Sequence, residues 1–305
     1  DMHRIVQAMH RLRDAGNTLV VVEHDPAVML AADRLIDMGP GPGEKGGRIV
    51  FDGTPDGARQ ADTLTGAYLG ARKHVAAGFA RGVQASTPKL LLQGAREHNL
   101  QNVDVRLPLG LLLAVTGVSG SGKSTLVFDI LARALLGGEE PAGAHDALTG
   151  REHIRRVINI GQEPVGRIPR SNVATYADIF TPIREVFAAQ EQARMQGFTP
   201  AHFSFNLPGG RCERCLGSGT LAINMHFLPD VEVRCPACHG RRFGRDVLSI
   251  TWRGTDIATV LEQTVEEARA LFTGLPVLEA KLQVLVDIGL GYLQLGQPVN
   301  TLSGG

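Results

Sequence analysis

Apolar residues recur along the chain at two different spacings, and together these spacings predict an α/β protein. Helical spacing, with apolar positions three to four residues apart, marks Asp1–Arg13, Thr264–Phe272 and Pro276–Gly289. The proline that opens the last of these segments suits the first position of a helix. Shorter helices are predicted for Pro26–Ala32, after an acidic turn, and for Leu126–Leu136, after a glycine-rich segment.

Continuous apolar runs predict buried strands. Thr18–Val22 is such a run, and a strand of this kind is typical of a parallel sheet that is covered on both faces. Leu111–Thr116 is similar and leads directly into a glycine-rich loop, while Ile154–Ile160 predicts a further buried strand. Other segments with strand character are Arg34–Met38, Arg48–Phe51, Leu90–Leu92 and Val103–Leu107.

These elements divide the chain into four predicted regions. Residues 1–70 form a first α/β region, residues 71–88 a small, polar and basic linker, and residues 89–164 a second α/β region. Residues 165–305 alternate little and contain all four cysteines, within a module at about 203–245. The chain starts within a helical pattern and stops on Leu302-Ser303-Gly304-Gly305, so we expect it to be a piece of a larger protein.

Composition places the chain among ordinary globular proteins. Of its 305 residues 43% are hydrophobic and 20% are charged, and 31 basic residues balance 31 acidic ones. The net charge therefore gives no evidence for a polyanionic partner, although a local basic patch remains possible. No apolar run is long enough to cross a bilayer, and Asp1–Arg13 lacks the pattern of a signal peptide. We therefore expect no association with a membrane.

A glycine-rich segment between the predicted strand Leu111–Thr116 and the predicted helix Leu126–Leu136 matches G-x-x-x-x-G-K-[ST]. Its glycines allow backbone N–H groups to face phosphate oxygens, its lysine suits the β and γ phosphates of ATP, and its serine suits Mg²⁺. The alternative is a simple glycine-serine turn, which the strand-loop-helix context disfavours. The predicted loop consists of Gly117, Val118, Ser119, Gly120, Ser121, Gly122, Lys123, Ser124 and Thr125.

Gln162 follows the predicted strand Ile154–Ile160. A glutamine at a strand end can orient a metal-bound water or sense the γ-phosphate. A surface amide is the more common role for a single residue of this type.

The four cysteines form two C-x₂-C pairs, Cys212 with Cys215 and Cys235 with Cys238, separated by nineteen residues. This is the spacing of a structural zinc site with four thiolate ligands. Two disulfides in an exported protein and a redox C-x-x-C are the alternatives. The absence of an export pattern disfavours the first, and the presence of two matched pairs disfavours the second. Zinc in such a closed site would brace a loop-rich module.

Arginines cluster around the cysteines. They could form a solvated face, or they could grip the phosphate backbone of a nucleic acid from a rigid zinc module. These arginines are Arg211, Arg214, Arg234, Arg241, Arg242 and Arg245.

Two short segments fit the phosphate loop into a larger pattern. His24 lies just beyond the predicted strand Thr18–Val22, and Ser303-Gly304-Gly305 ends the chain. Alone, either segment would be ordinary: a solvent-facing histidine and a helix-capping turn. With the phosphate loop and Gln162, they resemble the switch histidine and the truncated signature of an ABC-type ATPase. His24 precedes the loop, which is the wrong order for one ABC module, so we expect the end of one module followed by the beginning of a second.

Tandem ABC modules with a four-cysteine insertion resemble the UvrA family of the bacterial UvrABC excinuclease, the damage sensor of nucleotide excision repair, or a close paralogue. The resemblance covers nearly the whole chain. The most family-like strings are Gly94–Leu100, Arg167–Tyr176, Phe203–Asn206, Met225–Asp230 and Leu290–Gly296.

This resemblance implies a soluble, cytoplasmic, ATP-driven homodimer that binds lesion-containing double-stranded DNA and loads UvrB, the helicase-like component of the excinuclease. It implies that Gly117–Thr125 binds ATP at the second site, with Gln162 in its Q-loop. His24 would be the switch histidine of the first site, which Ser303, Gly304 and Gly305 would complete across the interface. The family's zinc module is linked to recognition of damage, and DNA contact through Arg167, Arg170 and the arginines near the cysteines extends that analogy.

Other functions stay open at this point. The chain could belong to a UvrA-like paralogue in drug resistance or tolerance or to a transport ATPase, or it could be a zinc-braced scaffold whose ATP site regulates association. The sequence contains no Walker B carboxylate for its phosphate loop, and hydrolysis needs a group that positions water beside Mg²⁺. We therefore expect this segment alone to bind nucleotide weakly and not to turn it over.

Overall fold

The structure is a computed structural model that describes residues 2–75, 78, 82–138, 140–161, 170–223 and 231–302. Contacts between residues divide the chain into two compact units. The first consists of Asp1–Pro40 and Arg48–Gly161, and the second of Gly41–Gly47 and Gln162–Gly305. The four regions expected from the sequence stay predictions.

Twelve α-helices lie in the described part of the chain. The longest, α1 and α12, occupy segments whose helical spacing predicted them. The helices are α1 (Met2–Asp14), α2 (Pro26–Ala31), α3 (Pro55–Gln60), α4 (Leu64–Leu69), α5 (Arg133–Leu136), α6 (Val173–Tyr176), α7 (Phe180–Ala188), α8 (Glu191–Met195), α9 (Arg245–Leu248), α10 (Ile257–Glu262), α11 (Val265–Leu271) and α12 (Pro276–Asp287). None of the helices in the described ranges is long and apolar enough to span a membrane.

The strands form small antiparallel sheets. β1 (Leu35–Gly39) pairs with β2 (Arg48–Gly53). A three-stranded sheet has the order β4-β3-β5, and two further hairpins are β6-β7 and β8-β9. Their bounds are β3 (Lys89–Ala95), β4 (Val103–Pro108), β5 (Ala147–Thr149), β6 (Thr220–Ile223), β7 (Val231–Arg234), β8 (Thr251–Trp252) and β9 (Thr255–Asp256).

In the first unit, the β4-β3-β5 sheet packs against the helix that follows the glycine-rich loop. The helix starts at Lys123, has π-type hydrogen bonding over Thr125–Ala132 and continues as α5. Leu92 and Ala95 of β3 are buried against Ile130 of this helix. Burial of these apolar side chains fixes the helix, and with it the end of the loop, on the sheet.

Three predicted strands are wrong for this structure. Thr18–Val22, Leu111–Thr116 and Ile154–Ile160 lie in irregular backbone. Val22 is 97% exposed and Leu112 fully exposed, which is the opposite of burial on both faces. An apolar run becomes a strand only where a neighbouring strand satisfies its backbone N–H and C=O groups. None of the strands in the described ranges pairs with these three segments.

The second unit is mainly helical around one hydrophobic core. Phenylalanines dominate this core, and each fully buried ring contributes about 2–3 kcal/mol of hydrophobic stabilisation. Five phenylalanines there are almost completely inaccessible: Phe187, Phe203, Phe205, Phe243 and Phe272. They come from α7, from the turns that follow α8, from the segment just after the cysteine module and from the end of α11.

Candidate functional site

The predicted phosphate loop lies at the start of the helix of the first unit. Gly120 and Gly122 adopt φ of +78° and +90°, which a residue with a Cβ rarely adopts. The Ser121 N–H donates to the Val118 carbonyl (3.2 Å), and the Leu126 N–H donates to the Gly122 carbonyl (2.9 Å). These bonds close a compact turn at a helix N-terminus, a geometry that suits an anion.

Lys123 joins the two sides of this loop. Its Nζ donates to the carbonyl oxygens of Gly117 at 2.8 Å and of Val118 at 2.7 Å. The ammonium is therefore held over the loop by the backbone of the first two residues in the motif. Ser124 and Ser119 are exposed, so a hydroxyl that could bind a hydrated cation faces solvent beside this ammonium.

The remaining predicted ATPase residues are separate from this loop in the described structure or lie outside it. His24 is exposed, and its backbone N–H donates to the Glu23 carboxylate at 3.3 Å. It immediately precedes Asp25, whose side chain caps α2 by accepting the Ala27 N–H at 2.7 Å. Gln162, Arg167, Ser303, Gly304 and Gly305 lie outside the described residues.

The four cysteines converge in the second unit. Their sulfurs all lie within 4.8 Å of one another, with 4.0 Å between Cys212 and Cys235 and 3.6 Å between Cys215 and Cys238. A tetrahedral ion with bonds of about 2.3 Å places its sulfurs about 3.8 Å apart. All four cysteines are free and buried, so the cluster fits zinc and not two disulfides.

Tight turns position the sulfurs. Leu216 and His239, which follow the two pairs, both have positive φ, of 51° and 52°. The Gly219 N–H donates to the Cys215 sulfur at 3.3 Å, a bond that disperses thiolate charge. The hairpin β6-β7 follows Gly219 and ends just before the second cysteine pair.

Two arginines near the cysteines form ion pairs with carboxylates of the same chain. Arg211 makes paired bonds to the exposed Glu213 carboxylate at 3.2 and 3.3 Å. Arg241 donates to Asp256 at 2.6 Å. Each of these side chains therefore already has an acidic partner.

Arg242 connects the cysteine cluster with the helical core. Its carbonyl accepts the Cys212 N–H at 2.8 Å, and its guanidinium donates to the Gly296 carbonyl at 3.2 Å. The guanidinium also lies 5.4 Å from the ring centre of Phe205. Burial lowers the pKa of Arg242, while the negative charge of the Cys215 and Cys238 thiolates acts in the opposite direction.

Asn99 is a contact residue that the sequence pattern did not reveal. Its side-chain Nδ2 donates to the Gly120 carbonyl at 2.8 Å. The family-like string Gly94–Leu100 contains it, but a single asparagine in a turn carries no distinctive signal. Only the fold brings it to the loop.

Comparison with protein-family models finds no match. Individual proteins match the chain over its whole length. It is 51% identical over 310 residues to UvrABC system protein A of Methanothermobacter thermautotrophicus, covering 100% of this chain and 32% of that protein. It is 50% identical to UvrABC system protein A of Thermus thermophilus, again covering 100% of this chain and 32% of that protein.

A solved structure agrees with these relatives. The crystal structure of UvrA2 from Deinococcus radiodurans superimposes with a TM-score of 0.91 at 43% identity, covering 100% of this chain and 37% of that one. The chain thus spans about a third of the length of the relatives that it matches. With about half of its residues identical along its full length, the chain belongs to the UvrA family.

Proposed function

We propose that this chain is the nucleotide-binding and DNA-binding segment of a DNA-damage recognition ATPase in nucleotide excision repair. The observation that carries this proposal is the identity of about one half to proteins named UvrABC system protein A, over the entire chain. The folded phosphate loop and the four-cysteine cluster supply chemistry that such a segment needs.

ATP would bind at Gly117–Thr125. Lys123 would direct its ammonium to the β and γ phosphates, and the backbone N–H groups of the loop would bind phosphate oxygens. The exposed Ser124 hydroxyl would bind Mg²⁺. Lys123 already lies over the loop carbonyls, which supports this assignment.

Hydrolysis would need groups beyond this loop. Gln162 would position water at the second site, and His24 would act at the first site together with Ser303, Gly304 and Gly305 of the signature. These groups serve two different sites, so this chain alone would bind ATP and not turn it over. Steady-state phosphate release by the purified chain at a turnover rate typical of enzymes, on the order of 10 s⁻¹, would contradict this assignment.

The cysteine module would hold zinc and present basic residues to DNA. Cys212, Cys215, Cys235 and Cys238 supply four thiolates in a closed arrangement. Gly296 and Phe205 engage the guanidinium of Arg242, whereas Arg211 and Arg241 pair with the carboxylates of Glu213 and Asp256, which a DNA phosphate could replace. We therefore place phosphate contacts at Arg170, Arg211 and Arg241, and at Arg167 outside the described residues.

The family relationship also supports the wider setting: a cytoplasmic homodimer that hands damaged DNA to UvrB of the excinuclease. A paralogue in drug resistance is the second candidate, since one matching crystal structure is that of a UvrA2. Identities of 50 and 51% to UvrABC system protein A, against 43% to UvrA2, support the repair role.

The affinities for a lesion-bearing duplex and for an undamaged duplex of the same sequence distinguish the repair role from the role in drug resistance. We expect the zinc-loaded chain to bind the lesion-bearing duplex several-fold more tightly, and we expect both affinities to fall as salt rises, because phosphate contacts release counterions. Equal affinity for the two duplexes, or an affinity that salt does not change, would contradict damage recognition by this chain.

A further inference from the structure

We propose that Asn99 is a positioning residue for the phosphate loop, fixing the orientation of the Gly120–Ser121 peptide. This inference rests on the proposed binding of ATP at Gly117–Thr125. Asn99 lies twenty-one positions before Gly120, and its side-chain Nδ2 donates to the Gly120 carbonyl oxygen at 2.8 Å. The bond joins a side chain outside the motif to the backbone at its centre.

Because the peptide bond is planar, a hydrogen bond that fixes its carbonyl oxygen also fixes the direction of its N–H group. In a trans peptide the carbonyl oxygen and the following N–H point in opposite directions. With the Gly120 carbonyl held by Asn99, the Ser121 N–H is directed away from Asn99 and donates to the Val118 carbonyl at 3.2 Å. Lys123 Nζ reaches the same Val118 oxygen at 2.7 Å. Asn99 therefore orients the Ser121 N–H toward the Val118 carbonyl, which the Lys123 ammonium also contacts.

Glycine gives this part of the loop no conformational preference of its own. Gly120 has φ of +78°, and nothing lies within 4 Å of the position that a Cβ would occupy there. A glycine peptide that no side chain packs against can rotate easily. The hydrogen bond from Asn99 supplies the restraint that packing does not.

Close packing reinforces this contact two residues further on, at Gly122. A Cβ added to Gly122 would lie 2.9 Å from Leu100 Cδ2 and 3.1 Å from Asn99 Oδ1. The loop backbone thus touches both Asn99 and Leu100, and Leu100 packs against the core around Ile130.

The turn that carries Asn99 is anchored at its base. The Glu97 carboxylate accepts the Ala144 N–H at 2.6 Å, and the Arg96 N–H donates to the Ala144 carbonyl at 2.9 Å. The Leu100 N–H closes the turn on the Glu97 carbonyl at 3.1 Å. A side chain on an anchored turn can impose an orientation on a glycine-rich loop, whereas one on a free loop could not.

ATP titration of matched variants tests this role. Because one hydrogen bond contributes roughly 1 kcal/mol, Asn99→Ala should weaken ATP binding by about fivefold. Asn99→Asp should weaken it at least as much, since a carboxylate keeps the shape of asparagine but cannot donate to the Gly120 carbonyl. Gln101→Ala should bind ATP as the original chain does, because the Gln101 amide reaches only the Asn99 carbonyl, at 3.4 Å. Without nucleotide, the melting temperature should be unchanged in Gln101→Ala and should fall by no more than a few degrees in the Asn99 variants, as the loss of one hydrogen bond predicts.

Lys123→Ala separates this inference from the proposed function. If Lys123→Ala loses ATP binding while both Asn99 variants bind like the original chain, the positioning role is wrong and the ATP site stands. If Lys123→Ala binds ATP unchanged, both are wrong. Equal losses of ATP affinity in the Asn99 and Gln101 variants would also overturn the positioning role. So would a fall in melting temperature large enough to explain the weaker ATP binding, because the turn would then only support the fold.

Discussion

The thiols of the cysteine cluster differ in how readily they lose a proton. Burial raises the pKa of Cys235, but N–H groups of Cys238 and Ala237 and the neighbouring sulfurs more than compensate, and its pKa falls from 9.0 to about 7. Burial dominates at Cys238 and raises its pKa to about 12. Since zinc binds thiolates, this cluster has to release protons when it takes up the ion.

Zinc affinity should therefore depend on pH. A thiol with a raised pKa stays protonated near neutrality, so zinc competes with that proton and binds more tightly as the pH rises. We expect the apparent zinc affinity, measured by competition with a chelator, to increase at least tenfold between about pH 6 and about pH 8. Cys238→Ser should abolish most of this binding, and an affinity that is constant over this range would contradict a thiolate site.

At the scale of elements, the start of α11 was predictable because a side chain and the backbone bond locally there. Thr264 accepts the Glu267 N–H at 3.2 Å, and Glu267 accepts the Thr264 N–H at 2.8 Å, a reciprocal capping box. That pairing explains why the predicted start at Thr264 agrees with α11. Two hydrogen bonds lower the pKa of Glu267: the larger effect comes from the Thr264 backbone N–H and the smaller one from the Thr264 hydroxyl.

Glu267→Ala should destabilise the chain relative to Glu266→Ala, an exposed acidic neighbour in the same helical turn. At neutral pH we expect a difference of about 0.5 kcal/mol in the free energy of unfolding, the low end for a hydrogen bond because the pair is exposed. A carboxylate with a lowered pKa stabilises the fold above its ordinary pKa of 4.5. That contribution disappears as the pH falls through the lower folded value. Urea unfolding of both variants measures the difference, and a gap that persists in acid would contradict the capping role.

At the scale of the whole molecule, the largest departure from the sequence prediction is three exposed apolar segments. Val20 is 90% exposed and Ile160 82%, although their segments have the composition of buried parallel strands. Composition records which side chains favour burial, but pairing depends on a neighbouring strand that a local pattern cannot supply. The phosphate loop and the cysteine cluster were predictable because their chemistry fixes residue type and spacing within short stretches. Asn99 was not, since its partner lies twenty-one residues away.

Charged substitutions distinguish exposed segments from buried strands. Val22→Asp and Leu112→Asp should each change the free energy of unfolding by less than about 0.5 kcal/mol, as surface substitutions do. Leu92→Asp is the control: Leu92 is 1% exposed and should not tolerate a charge. Self-association, measured by analytical ultracentrifugation, should decrease in the first two variants because they remove exposed apolar area. Losses above about 2 kcal/mol in those variants would support the buried strands that the sequence predicted.

Equilibrium binding of ATP with Mg²⁺ to the purified chain and to Lys123→Ala tests the central assignment most directly. Lys89→Ala is the matched control, because Lys89 is an exposed lysine at the start of β3, outside the loop. We expect the original chain and Lys89→Ala to bind with the same affinity, and Lys123→Ala to bind at least tenfold more weakly, since it loses a charge-assisted hydrogen bond to phosphate of about 1.5–3 kcal/mol. Equal ATP affinity in all three proteins would contradict a nucleotide site at Gly117–Thr125.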